Sequence, residues 1–351
     1  MAQKNRRQRR QEQSRRDRAQ RAQSTQKRNR WDRRRRRLTW ATVAVLIVLA
    51  AGVALPLLLT SSNTPSTPST TAPVLSSHTV LKLPSASALS EQGGSAWVTD
   101  DLRDLLLRFD PTTGKVEHSV HLAGRPAAMV LADGHLWVAD AVDNQVVEVE
   151  PTTLRIQRSV PVPTGPTSLA VLDGDVWVTS LEAHELTPVR LKTATAGTPI
   201  NVLAGAVRVA AGYGSLWVTG TTDLLTRVTP AAGSAGPQQK TVKVGQIPIG
   251  VATGQGAVWV ANGQSATVSE VSPSGLVVRQ TFHVGGDPLT VAVSGDDVYV
   301  GDGTAQTVRT VSPTESKALD VGTTPRTLLA VGAGVWVGAS DPGRVLAVTP
   351  G

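Results

Sequence analysis

Short runs of apolar residues recur along most of this chain, separated by Gly, Asp, Asn and Pro. The pattern is plainest where Pro126 to Leu131, Leu136 to Asp140, Gln145 to Glu150 and Leu154 to Val160 each have the length of a strand. Between them lie Ala132-Asp133-Gly134, Ala141 to Asn144 and Pro151-Thr152-Thr153, the punctuation of tight antiparallel turns. Val147 and Val149 alternate with Glu148 and Glu150, so one strand face is apolar and the other polar. The unit predicted is a four-stranded antiparallel sheet, and no later stretch has the period of a long helix.

That unit repeats. Gly134-His135-Leu136-Trp137-Val138-Ala139-Asp140 has echoes centred on Trp97, Trp177, Trp217, Trp259, Tyr299 and Trp336, with successive aromatic positions 40, 40, 40, 42, 40 and 37 residues apart. A fixed period near 40 marks a propeller or solenoid array, and solenoid repeats are usually shorter. Seven repeats of four strands predict an all-β, seven-bladed β-propeller over residues 78–351. Each repeat Trp stands beside a valine (Val98, Val138, Val178, Val218, Val260 and Val337), where its area can fill the wedge between twisted neighbouring sheets. The last unit has three strands, Thr327 to Val331, Val335 to Gly338 and Val345 to Val348. Thr79 to Leu83 is therefore predicted to close blade 7 as its outer strand, pairing an edge that would otherwise stay open.

The chain ahead of the array has a different pattern. Residues 1–37 are Arg and Gln with almost no aliphatic side chains, a composition expected to remain disordered. Residues 38–60, from Leu38 to Thr60, carry no charge over 23 positions, enough at about 1.5 Å per residue to cross a bilayer core. A transmembrane helix is predicted there, with Trp40 at one interface and Pro56 near the far end. A cleaved signal peptide would have a shorter apolar core and an Ala-x-Ala site, which does not follow Pro56. Residues 61–77 are a Ser/Thr/Pro linker.

Charge changes the picture in one respect. The formal net charge of +8 divides into +14 for residues 1–37 (17 Lys and Arg against 3 acidic residues) and −6 for the rest. The basic excess beside the apolar segment predicts a cytoplasmic N-terminus and an extracytoplasmic propeller at the cell membrane. Arg33 to Arg37 could also meet anionic lipid headgroups. A nucleic-acid partner is not expected, because the array is mildly acidic and the basic tail has one aromatic residue, Trp31, rather than a series interleaved with its charges. The sequence contains no cysteine, which excludes thiol nucleophiles and thiolate metal sites, and no Gly-x-Ser-x-Gly elbow, which weakens hydrolase readings.

Val244-Gly245-Gln246-Ile247-Pro248-Ile249-Gly250-Val251-Ala252, with Ala257-Val258-Trp259-Val260-Ala261-Asn262 and Val268-Ser269-Glu270-Val271-Ser272-Pro273, resembles the YVTN-type (YncE-like) β-propeller repeat family over residues 78–351. That resemblance implies an extracytoplasmic binding or scaffold propeller. The Trp-Val-Thr-Asp and Gly-Pro segments more faintly resemble virginiamycin B lyase-like propellers, whose chemistry needs two histidines, a glutamate and magnesium. His118, His121, His135, His184 and His283 do not map onto such a site. Asp110-Pro111-Thr112-Thr113-Gly114-Lys115 resembles part of a quinoprotein docking repeat without its tryptophan, and is more simply a turn.

Three residues after each repeat aromatic come Asp100, Asp140, Ser180, Gly220, Asn262, Asp302 and Ala339, at one end of every second strand. The four Asp or Asn residues either close their strands through side chain to backbone bonds or form a ring for a cation or polar ligand. Arg125 and Arg326 flank prolines at the start of innermost strands on the same face, where they could meet an anionic group or pair with those acids. The candidate ligand-binding residues are therefore Asp100, Asp140, Asn262, Asp302, Arg125 and Arg326, on a face expected to point away from the bilayer. The leading expectation is a membrane-anchored module that binds an extracytoplasmic protein or other envelope ligand, without a cofactor. The alternative is a metal-dependent lyase or lactonase using a divalent cation.

Overall fold

The computed structural model describes residues 75–202, 205–230, 236–312 and 316–350. The basic tail, the apolar segment and most of the linker lie outside the described residues. Among the described residues there is no helix long and apolar enough to cross a membrane.

Seven antiparallel sheets follow one another along the chain, making a seven-bladed propeller. Blades 1 to 7 begin at Ala88, Pro126, Pro166, Arg208, Pro248, Pro288 and Thr324. Blade 2 shows the unit: Pro126–Ala132, His135–Asp140, Gln145–Val149 and Ile156–Pro161, paired in sequence order. The expected outer strand began at Leu154, which instead lies in the turn before it with φ 57°. Its backbone N–H is held by the Glu150 carbonyl at 2.9 Å, and its buried side chain joins the core around Trp97. Apolar character identified the burial; the Glu150 turn decided the conformation. Asp110 closes the matching turn in blade 1, accepting from the backbone N–H groups of Thr112 and Thr113 at 2.7 and 3.1 Å.

The repeat aromatics are all buried, from Trp217 and Tyr299 at 0% exposure to Trp336 at 8%. Each packs against the valines of the next blade: Trp97 with Val138, Trp137 with Val178, Trp177 with Val218, Trp217 with Val260, Trp259 with Val300, Tyr299 with Val337 and Trp336 with Val98. The core is thus a ring of seven clusters between sheets. The large rings fill the gap that opens as twisted sheets diverge from the axis. Tyr299 satisfies its hydroxyl by donating to the Ala333 carbonyl at 3.1 Å, across the same joint.

The N-terminal strand closes blade 7. It runs Leu75–Lys82 against Arg344–Pro350, so it begins three residues inside the segment read as linker. Leu75 and Leu81 are both buried, which gives the strand its register on blade 7. Blade 3 departs from the regular unit, with an outer edge broken into Thr195–Ala196 and Ile200–Asn201. Pro199 between them cannot donate to a ladder, and an outer edge tolerates that loss.

Strand direction defines two faces. In blade 7, Thr324 pairs with Ser340 and Ala339 with Arg344 at one face, while Leu75 pairs with Pro350 at the other. The first face carries the connections between blades and will be termed the loop face. The described chain enters and leaves at the opposite face.

Candidate ligand-binding face

All six sequence candidates lie at the loop face, in two chemically different arrangements. Asp100, Asp140, Asn262 and Asp302 end the second strands of blades 1, 2, 5 and 6, each no more than 1% exposed. Three of them bind their own turn. Asp100 Oδ1 accepts from the N–H groups of Leu102 and Arg103 at 3.1 and 3.2 Å, and Asp140 Oδ1 from Val142 and Asp143 at 3.2 and 3.1 Å. Asp302 Oδ1 accepts from Ala305 at 2.8 Å and from Asp287 in the inter-blade loop at 3.1 Å. Asn262 donates to the hydroxyls of Thr267 and Ser269 at 3.1 and 3.0 Å.

These are the bonds expected of short Asx side chains at a strand-to-turn junction. Inter-blade loops cover Asp140 and Asp302: a Cβ on Gly124 would stand 2.0 Å from Asp140 Oδ1, and one on Gly286 would stand 1.8 Å from Asp302 Oδ2. The four Asx residues hold four separate turns and do not converge on a common point through any bond among the described residues.

Burial leaves an electrostatic mark. Desolvation raises the pKa values of Asp100 and Asp140 against the lowering effect of their hydrogen bonds. Asp287 is raised too, by desolvation and then by the Asp302 charge. A carboxyl whose folded pKa exceeds its unfolded one costs stability as pH rises through that interval, because the unfolded chain gives up the proton first. Asp140→Asn should therefore flatten the pH dependence just above pH 3.8 without lowering stability at neutral pH. Asn262 already fills the matching position in blade 5. Asp140→Ala, which strands the N–H groups of Val142 and Asp143, should cost about 1–3 kcal/mol. Thermal unfolding from pH 3.5 to 7.5 reads both outcomes, and equal losses from Asn and Ala would show that these bonds do not matter.

Arg125 and Arg326 form the second arrangement. Both reach one carboxylate that the sequence pattern did not single out, Asp101, with Arg125 Nε at 3.2 Å and Arg326 Nη1 at 3.5 Å from Oδ2. The Asp101 side chain is 3% exposed and accepts from Ser85 Oγ at 2.6 Å. The arginine side chains are 28% and 36% exposed, so solvent reaches them. Arg326 in turn accepts at its backbone carbonyl from Arg208 Nη2, at 3.2 Å. Arg208 belongs to blade 4 and Arg326 to blade 7, three steps apart in a ring of seven, so this bond spans the axial opening. Desolvation first and the Arg326 charge second push the Arg208 pKa down to about 10, which leaves it protonated at neutral pH.

The histidines are dispersed. His135 lies at the opposite face with Nδ1 3.7 Å from buried Glu148, which is held by Arg158. His283 lines a groove of about 670 Å³ between blades 4 and 5, with Asp223, Lys243, Gln246 and Ser265. Among the described residues no three His, Asp or Glu side chains stand together as a divalent-cation site.

No family model matches the sequence, and no curated protein matches it. Solved structures do. A catalytically inactive virginiamycin B lyase from Staphylococcus aureus with quinupristin superposes at a TM-score of 0.69 and 13% identity, covering 78% of this chain and 99% of the lyase. The Pan2 WD40 domain of Neurospora crassa matches at 0.66 and 8% identity, over 78% of this chain and 94% of that one. RRP9 WD40 repeats match at 0.65 and 9% identity, over 80% and 99%. At such identities the likeness defines the fold alone. The chain belongs to the class of seven-bladed β-propellers, a scaffold that hosts binding modules and enzymes alike.

Proposed function

We propose that this chain is a membrane-anchored, extracytoplasmic propeller of YVTN type that captures a protein or other envelope ligand on its loop face. The observation that carries the reading is polarity: the described chain enters at Leu75 on the face opposite Asp101, Arg125 and Arg326. Residues 38–60 supply the anchor and the basic tail keeps the N-terminus cytoplasmic, with anionic lipid as its partner. The Ser/Thr/Pro composition between Thr60 and Leu75 is that of a spacer, and in this reading the loop face is presented away from the bilayer. Loops on a rigid scaffold are the usual home of binding residues, and those around Arg125 and Arg326 surround the axial opening.

The lyase-like alternative needs a convergent donor set for a divalent cation, and the described histidines and carboxylates do not supply one. The binding reading is tested by co-purification with the intact protein from its own membranes. Arg125→Glu with Arg326→Glu should abolish capture of the partner, because it replaces two of the solvent-reachable charges of the loop face. Charge changes at Lys115 or Arg155, in third-to-fourth-strand turns at the opposite face, should leave capture intact. Capture that survives the double reversal would sink the proposal.

A further inference from the structure

Arg208 breaks the pattern of its own position. The residue that pairs with the second position after each repeat aromatic is Ala88, Ala128, Ser168, Gly250, Thr290 or Thr327 in the other blades, and Arg208 in blade 4. The site favours small side chains because neighbouring inner strands approach closely there. A Cβ on Gly250 would already stand 3.0 Å from the Cα of Thr290. A guanidinium cannot fit between the strands, so the Arg208 side chain runs into the axial opening and reaches the Arg326 carbonyl on the far side.

The charges at this mouth do not balance. Arg125, Arg208 and Arg326 are linked through one carboxylate and one carbonyl, and Asp101 is the acid that pairs with the first and third. Arg208 has no acidic partner among the described residues; its bond is to a neutral carbonyl, and the charge of Arg326 acts on it. Three positive groups against one negative leave two positive charges unmatched. Holding unmatched guanidinium groups in a partly desolvated opening costs stability, and such costs are retained where a ligand supplies the missing charge. Guanidinium groups offer forked donors suited to oxygens set in a plane or on a tetrahedron.

We propose that the axial mouth on the loop face is an oxyanion site, in which Arg125, Arg208 and Arg326 receive a tetrahedral group carrying two negative charges, of the phosphoryl or sulfate class. Asp101 is the positioning residue, fixing Arg125 and Arg326, whose remaining donors have no other partner among the described residues. Arg208 closes the site from the opposite side of the ring. The inference deepens the capture reading by giving the chemistry that the captured partner must present, and it rests on that reading only for the partner.

The test uses the full-length protein in detergent, titrated calorimetrically with inorganic phosphate, sulfate and acetate at one ionic strength and neutral pH. Phosphate and sulfate should bind saturably and raise the unfolding temperature, with acetate markedly weaker. Arg208→Gln should weaken phosphate binding roughly ten- to hundredfold, the loss of a hydrogen-bonded charge, without lowering the unfolding temperature of the anion-free protein. Arg208→Lys, which keeps the charge and loses the fork, should fall between. Phosphate and sulfate no better than acetate, or wild-type phosphate affinity in Arg208→Gln, would overturn the site. Because the readout is a simple anion, it does not depend on partner capture. Phosphate binding with no capture would leave this inference standing and sink the functional reading, and capture without phosphate binding would do the reverse.

Discussion

Shortening the described chain from residue 75 to residue 83 should leave an open ring that unfolds at least 10 °C lower and self-associates. The strand removed pairs seven residues with the last strand of blade 7 and buries Leu75 and Leu81. Losing two buried leucines alone costs about 4 kcal/mol or more on the scale of large-to-small core changes. In a domain of this size each kcal/mol moves the midpoint by roughly 2–4 °C. The loss also exposes the backbone of Arg344–Pro350 as a free edge, which invites pairing between molecules. Scanning calorimetry and size-exclusion chromatography on the two lengths give the answer, and identical midpoints would mean that blade 7 closes without its N-terminal strand.

Trp217→Ala should be the most damaging single substitution among the repeat aromatics. The ring is 0% exposed and packs against Val258, Val260 and Val271 of blade 5. Its Nε1 donates to the Gly212 carbonyl at 3.0 Å, and the Arg227 guanidinium lies 6.0 Å from the ring centroid. Truncation removes apolar area, leaves a cavity between two sheets that cannot collapse independently and strands the Gly212 carbonyl. The expected loss is about 3–5 kcal/mol. Trp137 is equally buried, but its Nε1 has no partner among the described residues, so Trp137→Phe should be far better tolerated than Trp217→Phe. Denaturant titration of the set resolves these differences; a Trp217→Ala loss below 1 kcal/mol would show that the ring is not a core element.

The fold was legible because its determinants are local and repeated. One aromatic and one valine per unit, spaced by turn residues, specify both the strand and the joint it fills, and six further copies make the pattern visible. The missing fourth strand of blade 7 could be read from the count. Its start could not, since Leu75 sits in a Ser/Thr/Pro context and only its burial shows that it belongs to the sheet.

The site was legible in part, for reasons of distance. The Asx column was visible as a repeat, and the turn bonds of Asp100, Asp140 and Asp302 run two or three residues forward, the range that sequence alone can address. The bridge from Asp101 to Arg125 and Arg326 joins three blades through loops, and no local pattern distinguishes Asp101 from Asp100. Arg208 did leave a signal. Aligning the units by their aromatics puts it in a column of Ala, Ser, Gly and Thr, where a charged side chain has nowhere to go except the axis.

The central claim is that the propeller is held outside the membrane with its loop face outward. Protease added to intact cells tests it most directly, read with antibodies to residues 1–37 and to the propeller. The account predicts that the propeller is degraded while the Arg-rich tail is spared until the membrane is permeabilised. A propeller protected in intact cells, with a tail that is cut, would contradict it.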